Sequence, residues 1–217
     1  MRILVTGFEA FGDDTENASI TSVNMLDGRW SDDSVQLVTG ALPVAFGTAG
    51  TVLHELVARY RPDAVIAVGE AGGRTSVTPE SRAVNDMDAR IPDNAGLQPR
   101  AQEIFEGGQK FRESTLDVEA IADAVRGAGV ASDVSDDAGR FVCNYIAYLV
   151  AGLEVPGTFI HVPAVRSEGA ASTGAETDPG ATPATSELGF EDLAKALEAA
   201  VHETVQQLQS GSLAATA

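Results

Sequence analysis

The chain has one cysteine, Cys143, one tryptophan, and only two lysines, Lys110 and Lys195, among its 217 residues. A lone cysteine excludes internal disulfides and cysteine-rich metal sites. No run approaches the roughly 18 consecutive apolar residues of a membrane span, so a membrane partner is not expected. The opening MRILVTGF lacks the charged start, apolar core and cleavage pattern of a secretory signal and reads as a strand, which points to the cytoplasm. Basic residues are scarce as well: 14 against 32 acidic ones, for a formal charge of −18. Such a surface repels phosphate, so nucleic acid is excluded as a partner. It suits a salt-rich, halophilic interior, because screening over roughly 3 Å at 1 M salt quiets the self-repulsion.

The hydrophobic content, 44%, is enough for one folded domain, expected over residues 1–209. Short apolar runs at 3–6, 35–41, 64–68, 130–135 and 158–162 read as strands. They alternate with helical patterns at 17–26, 48–60, 116–128, 143–151 and 190–208; in the second, Val52, Leu53, Leu56 and Val57 fall at helical spacing. This alternation predicts an α/β domain with a mainly parallel twisted sheet and helices on both faces. Residues 166–186 are rich in Gly, Ala, Ser, Thr and Pro and read as a mobile loop. Residues 210–217 read as a frayed tail.

In open α/β sheets, ligands bind beyond the carboxyl ends of the strands. Three reactive side chains fall there. Cys143 precedes NYIAYLV and should sit in the first turn of a helix, where unpaired N–H groups favour a thiolate and could hold an oxyanion. Position alone favours the plainer reading, a small inert core thiol. His161 closes TFIHV just before Pro163 and can serve as a general base; the plainer reading is a histidine bonded to a carbonyl. Glu80, expected in a loop beyond the third strand, could orient that histidine or simply be solvated.

The segments GFEAFG (7–12), ALPVAFG (41–47), VGEAGGR (68–74), TPESRAVN (78–85), DARIPDNAG (88–96), FVCNY (141–145) and FIHVPAV (159–165) occur in that order. In this the chain resembles the pyroglutamyl peptidase I family, the pyrrolidone-carboxylate peptidases, which are cysteine omega-peptidases. The resemblance implies a three-layer α/β/α sandwich, with Cys143 as nucleophile, His161 as base and Glu80 orienting the histidine. It implies a supporting role for Arg90 beside the oxyanion. It also implies a substrate pocket formed by Phe8, Phe11, Phe141 and Ile91, with Asn17 and Glu70 nearby. Pyroglutamyl peptides are the implied substrate, no metal or cofactor is implied, and copies are expected to associate as a dimer or tetramer. Apolar walls suit an uncharged five-membered lactam.

The chain departs from the family at several points. Glu70 stands where relatives often carry an uncharged residue, and a carboxylate there could raise the His161 pKa or disfavour the thiolate. Ala10 and Ala18 replace usual prolines, Asp136-Asp137 replaces an asparagine-containing turn, and Ala164 replaces an aromatic. Only residues 152–157 separate the Cys143 helix from the His161 strand. Two alternatives stay open: a thiol amidohydrolase acting on another small lactam or amide, and a non-catalytic binder of pyroglutamyl ligands.

Overall fold

The computed structural model describes residues 1–168, 171 and 186–211. Most of the expected mobile loop (169, 170 and 172–185) and of the expected tail (212–217) lies outside the described residues.

Among the described residues, seven strands and five helices run in the order β1 (Arg2–Phe8), α1 (Ala18–Arg29), β2 (Gln36–Leu42), α2 (Phe46–Tyr60), β3 (Ala64–Ala71), β4 (Thr78–Glu80), β5 (Arg82–Val84), β6 (Phe111–Glu113), α3 (Val118–Gly127), α4 (Val142–Val150), β7 (Gly157–Pro163) and α5 (Phe190–Ser210). The main sheet has the order β2-β1-β3-β7-β4. Its first four strands are parallel and β4 runs antiparallel to β7. β5 and β6 form a separate antiparallel pair.

Successive residues of a strand point to opposite faces. Ile3, Val5, Ile66, Val68, Ile160 and Val162 accordingly pack on one face, against Leu26 of α1, Ile121 of α3 and Leu197 of α5. Leu4, Val65, Ala67 and Phe159 face the other way, against Leu53 of α2 and Ile146 of α4. Helices thus cover both faces, which is why the central strands are continuous apolar runs. The result is the three-layer α/β/α arrangement.

Local signals set the helix ends. Asn17 caps α1 by accepting from Ser19 N at 3.0 Å, and Asp117 caps α3 by accepting from Ala120 N at 3.0 Å. α2 ends at Arg61, which is left-handed (φ 46°) and followed by Pro62.

One expected strand is absent. Residues 130–135 form only isolated bridges, Val77 to Ser132 and Glu80 to Ser135, along the outer edge of β4. Pro79 lacks an N–H, so the ladder cannot run continuously there, and proline is tolerated because β4 lies at the sheet's edge. The same proline hides β4 in the sequence, so Glu80 lies in a strand instead of the expected loop.

Candidate active site

β3 and β7 end side by side, with Gly69 level with His161 in the parallel register. His161 shares the face of Phe159, which is the face that α4 covers. Cys143 occupies the first turn of α4, whose cap residue Phe141 supplies no side-chain hydrogen bond. The first N–H groups of a helix have no intrahelical partners, so this end offers donors beside the sulfur. Gly139, left-handed at φ 76°, turns the chain into the helix. Asn144, fully buried, staples the helix down: its Oδ1 accepts from Val84 N, and its Nδ2 donates to the Val84 and Asp86 carbonyls at 2.9 Å each.

Gly69 makes the meeting possible. A Cβ at that position would lie 2.8 Å from Cys143 Sγ and 2.6 Å from Phe159 Cζ, well inside contact distance. The bare glycine lets the sulfur rest on the sheet next to the register position of His161. Cys143 and His161 line one open cavity of about 370 Å³.

Glu80 on β4 is level with Phe159 and faces the same side. His161 Nδ1 lies 2.7 Å from Glu80 Oε1, and both side chains are buried. A carboxylate acceptor places the ring proton on Nδ1 and leaves Nε2 as the basic nitrogen. Arg74 Nη2 sits 2.9 Å from the same Oε1, and Arg74 Nη1 donates to Thr78 Oγ1 at 2.7 Å. The buried carboxylate therefore has a cation as well as an imidazole beside it.

Burial pushes the Cys143 thiol from its ordinary 9.0 up to about 12; the Glu80 and Glu70 carboxylates push the same way, and Arg74 opposes them. The sulfur therefore rests as a neutral thiol, although the N–H groups at a helix start favour a thiolate.

A second cavity, about 470 Å³, shares Cys143, Phe141 and Glu70 with the first. Phe8, Phe11, Val44 and Val142 give it apolar walls, while Asn17, Glu70, Asp14 and Arg166 make one polar side. The Phe11 and Phe141 rings pack with centroids 5.3 Å apart. Glu70 is not a loose charge in this wall. Its Oε2 accepts from Ala18 N, the first amide of α1, at 2.6 Å, and Arg166 forks across both of its oxygens at 2.7 Å each.

A family model, described as pyroglutamyl peptidase, matches residues 1–207. The chain belongs to the pyroglutamyl peptidase family. It is 44% identical over 165 residues to the pyrrolidone-carboxylate peptidase of Pseudomonas fluorescens (strain SBW25), a match spanning 74% of this chain and 78% of the relative. It is 41% identical over 169 residues to that of Levilactobacillus brevis, spanning 75% and 82%. Among solved structures, it is similar to Bacillus amyloliquefaciens pyroglutamyl peptidase I, with TM-score 0.84, 31% identity, and 95% of this chain and 98% of the other covered. The pyrrolidone carboxyl peptidase of Thermococcus litoralis gives TM-score 0.83 at 30% identity, covering 97% and 96%.

Within this family fold, Cys143, His161 and Glu80 come together, and Phe8, Phe11, Asn17, Glu70 and Phe141 line the neighbouring cavity. Arg90 and Ile91 are not among the residues that line these two cavities. Arg90 is exposed. Their segment is held by its own contacts: the Arg90 carbonyl accepts from Gln98 Nε2 at 2.7 Å, and Asp93 accepts from Phe46 N at 2.8 Å. Gly69, Arg74, Asp14 and Arg166 were not anticipated. Gly69 and Arg74 lie inside the VGEAGGR motif, which was itself a usable signal. Among the described residues, no group of three or more His, Cys, Asp or Glu side chains is placed to hold a metal ion. No described helix is long and apolar enough to cross a membrane.

Proposed function

We propose that this chain hydrolyses the amide bond after an N-terminal pyroglutamyl residue, with Cys143 as nucleophile, His161 as base and acid, and Glu80 as the group that holds the imidazole. The observation that carries the reading is the shared cavity of Cys143 and His161, with His161 Nδ1 bonded to buried Glu80. Because the thiol rests neutral, its proton moves to His161 Nε2 as the sulfur attacks the pyroglutamyl carbonyl. The N–H groups of the first turn of α4, beside the sulfur, are the donors for the tetrahedral oxyanion. His161 then returns the proton to the departing amine as the C–N bond breaks, leaving a thioester. Water, deprotonated by the same imidazole, attacks the thioester; the C–S bond breaks, pyroglutamate leaves, and the thiol is restored.

A free nucleophilic thiol with no disulfide partner fits a reducing compartment, which supports a cytoplasmic enzyme. The charge of −18 supports a salt-rich one.

The test is release of a fluorescent amine from a pyroglutamyl amide. Cys143→Ser should abolish it, and His161→Ala should lower kcat by about 10²–10⁴-fold, the usual share of general acid–base catalysis. Turnover that survives Cys143→Ser, or a loss smaller than about tenfold in His161→Ala, would remove these residues from the chemistry.

A further inference from the structure

The polar side of the substrate cavity contains an arginine between two carboxylates. Arg166 Nη1 and Nη2 each donate to one oxygen of Glu70 at 2.7 Å, Nη2 also donates to Asp14 Oδ2 at 2.6 Å, and Nη1 donates to the Val165 carbonyl at 2.9 Å. The three side chains are 6–9% exposed. The hydrogen bonds and the surrounding carboxylates raise the guanidinium pKa above its already high ordinary value. The remaining donor, Nε–H, is buried with no partner among the described residues. Ser167, next in the chain, is tied to Glu16 by its amide at 2.7 Å and its hydroxyl at 2.9 Å. The start of the segment after β7 is thereby fastened to the loop that brings Phe11 and Asn17 to the cavity.

A bare carboxylate in such a wall would attract an ammonium. Proline and pyroglutamate have the same five-membered ring; proline carries a protonated ring amine where pyroglutamate has an uncharged lactam. Glu70, left alone, would favour the wrong one of this pair, and truncating one member of a buried ion pair leaves the other charge uncompensated. We propose that Arg166 is a specificity-determining residue: by occupying Glu70 and Asp14 it denies the cavity an anionic anchor, so that the site takes the lactam and turns away a protonated N-terminal amine. The guanidinium also matters to the sulfur. Glu70, Asp14 and Arg166 share one cavity with Cys143, and Glu70, Arg74 and His161 share the other, with Glu80 bonded to His161, so unmasking Glu70 adds negative charge where the thiolate must form.

The inference rests on the proposed pyroglutamyl specificity, and the experiment separates the two. Protection of Cys143 from iodoacetamide by L-pyroglutamamide and by L-prolinamide is measured by mass spectrometry in the wild type, Arg166→Met, and the double variant Glu70→Gln/Arg166→Met. Wild-type protein should be protected by the lactam well below the concentration at which prolinamide acts. In Arg166→Met the ratio of half-protecting concentrations should move toward prolinamide by about tenfold or more, and alkylation without ligand should need a higher pH. The double variant removes the unmasked Glu70 and should bring both readouts back toward wild type, which a merely structural role for Arg166 would not do. An unchanged ratio in Arg166→Met, a double variant shifted as far as the single one, or a wild type the lactam does not protect would each overturn the proposal. If Arg166→Met does not fold, Arg166→Lys keeps the charge without the fork and should show a smaller shift in the same direction; no shift overturns it. A wild type that the lactam protects, but that turns over no pyroglutamyl amide, defeats the peptidase reading and leaves the role of Arg166 standing.

Discussion

Replacing Gly69 with alanine probes the contact on which the site is built. Gly69 has no positive φ, so the backbone itself would accept alanine without strain. The obstacle is space. The added methyl would meet Cys143 Sγ at 2.8 Å and Phe159 at 2.6 and 3.0 Å, where carbon contacts prefer about 3.5–4.0 Å, so something must retreat by roughly 1 Å. Phe159 is 2% exposed and packed under α4, while Cys143 lies at the cavity edge and has room to leave. The sulfur should therefore yield, moving away from the sheet position that His161 shares. Overpacking of this kind costs about 1–3 kcal/mol, which in a chain of this length lowers Tm by about 2–12 °C. The catalytic cost should be larger in proportion: a displacement of about 1 Å between reacting groups is worth about 10² in rate.

The assay is kcat/KM on a pyroglutamyl amide beside a thermal unfolding curve, with Gly28→Ala as the control. Gly28 lies exposed in α1 with nothing within 4 Å of its added methyl, so alanine there should stabilise the helix by about 0.5–1 kcal/mol and leave turnover alone. A Gly69→Ala enzyme that keeps kcat/KM within about threefold of wild type would falsify the claim that this glycine seats the sulfur.

Two further outcomes follow from charge. With the Cys143 thiol raised from 9.0 to about 12, the free enzyme should alkylate slowly at neutral pH, and its rate should climb as pH rises past 9; a profile already flat at pH 7 would mean a resting thiolate and a different proton path. With a formal charge of −18, Tm should fall as sodium chloride is reduced from molar concentration to dilute buffer, and a Tm indifferent to salt would rule out a surface adapted to brine.

How much of this could be read in the sequence depended on whether a feature is local. Cys143 and His161 could be picked out because each stands at the end of an apolar run, one opening a helix and one closing a strand. Glu80 was recognisable as a residue but not as part of a strand, because Pro79 breaks the alternation that marks β4. Residues 130–135 have the composition of a strand, yet the edge they meet cannot pair with them continuously. Arg166 opens a stretch whose Gly, Ser and Thr content reads as loop, and composition says nothing of the two carboxylates that hold it. Gly69 matters because of atoms that arrive from α4 and β7, and an empty space has no sequence pattern of its own. Arg90 and Ile91 were assigned by resemblance alone, and neither lines either cavity.

The placement of charge explains how a thiol can work in so acidic a chain. In the proposed mechanism the base needs Glu80 to fix its tautomer, and α1 takes Glu70 at its first amide, so two carboxylates bear on the sulfur and both oppose its ionisation. Each is met by its own arginine: Arg74 at 2.9 Å from Glu80 and Arg166 at 2.7 Å from Glu70. These pairs are buried, so salt screens them far less than the exposed acids. Brine can quiet the surface, but it cannot stand in for either arginine. In a chain with only 14 basic residues, spending two of them here fits a site whose nucleophile must lose a proton during the reaction and has no net positive field to help it. The neutral resting thiol then follows from the same arrangement that positions the base. In the proposed mechanism, ionisation waits until His161 and the substrate carbonyl are both in place.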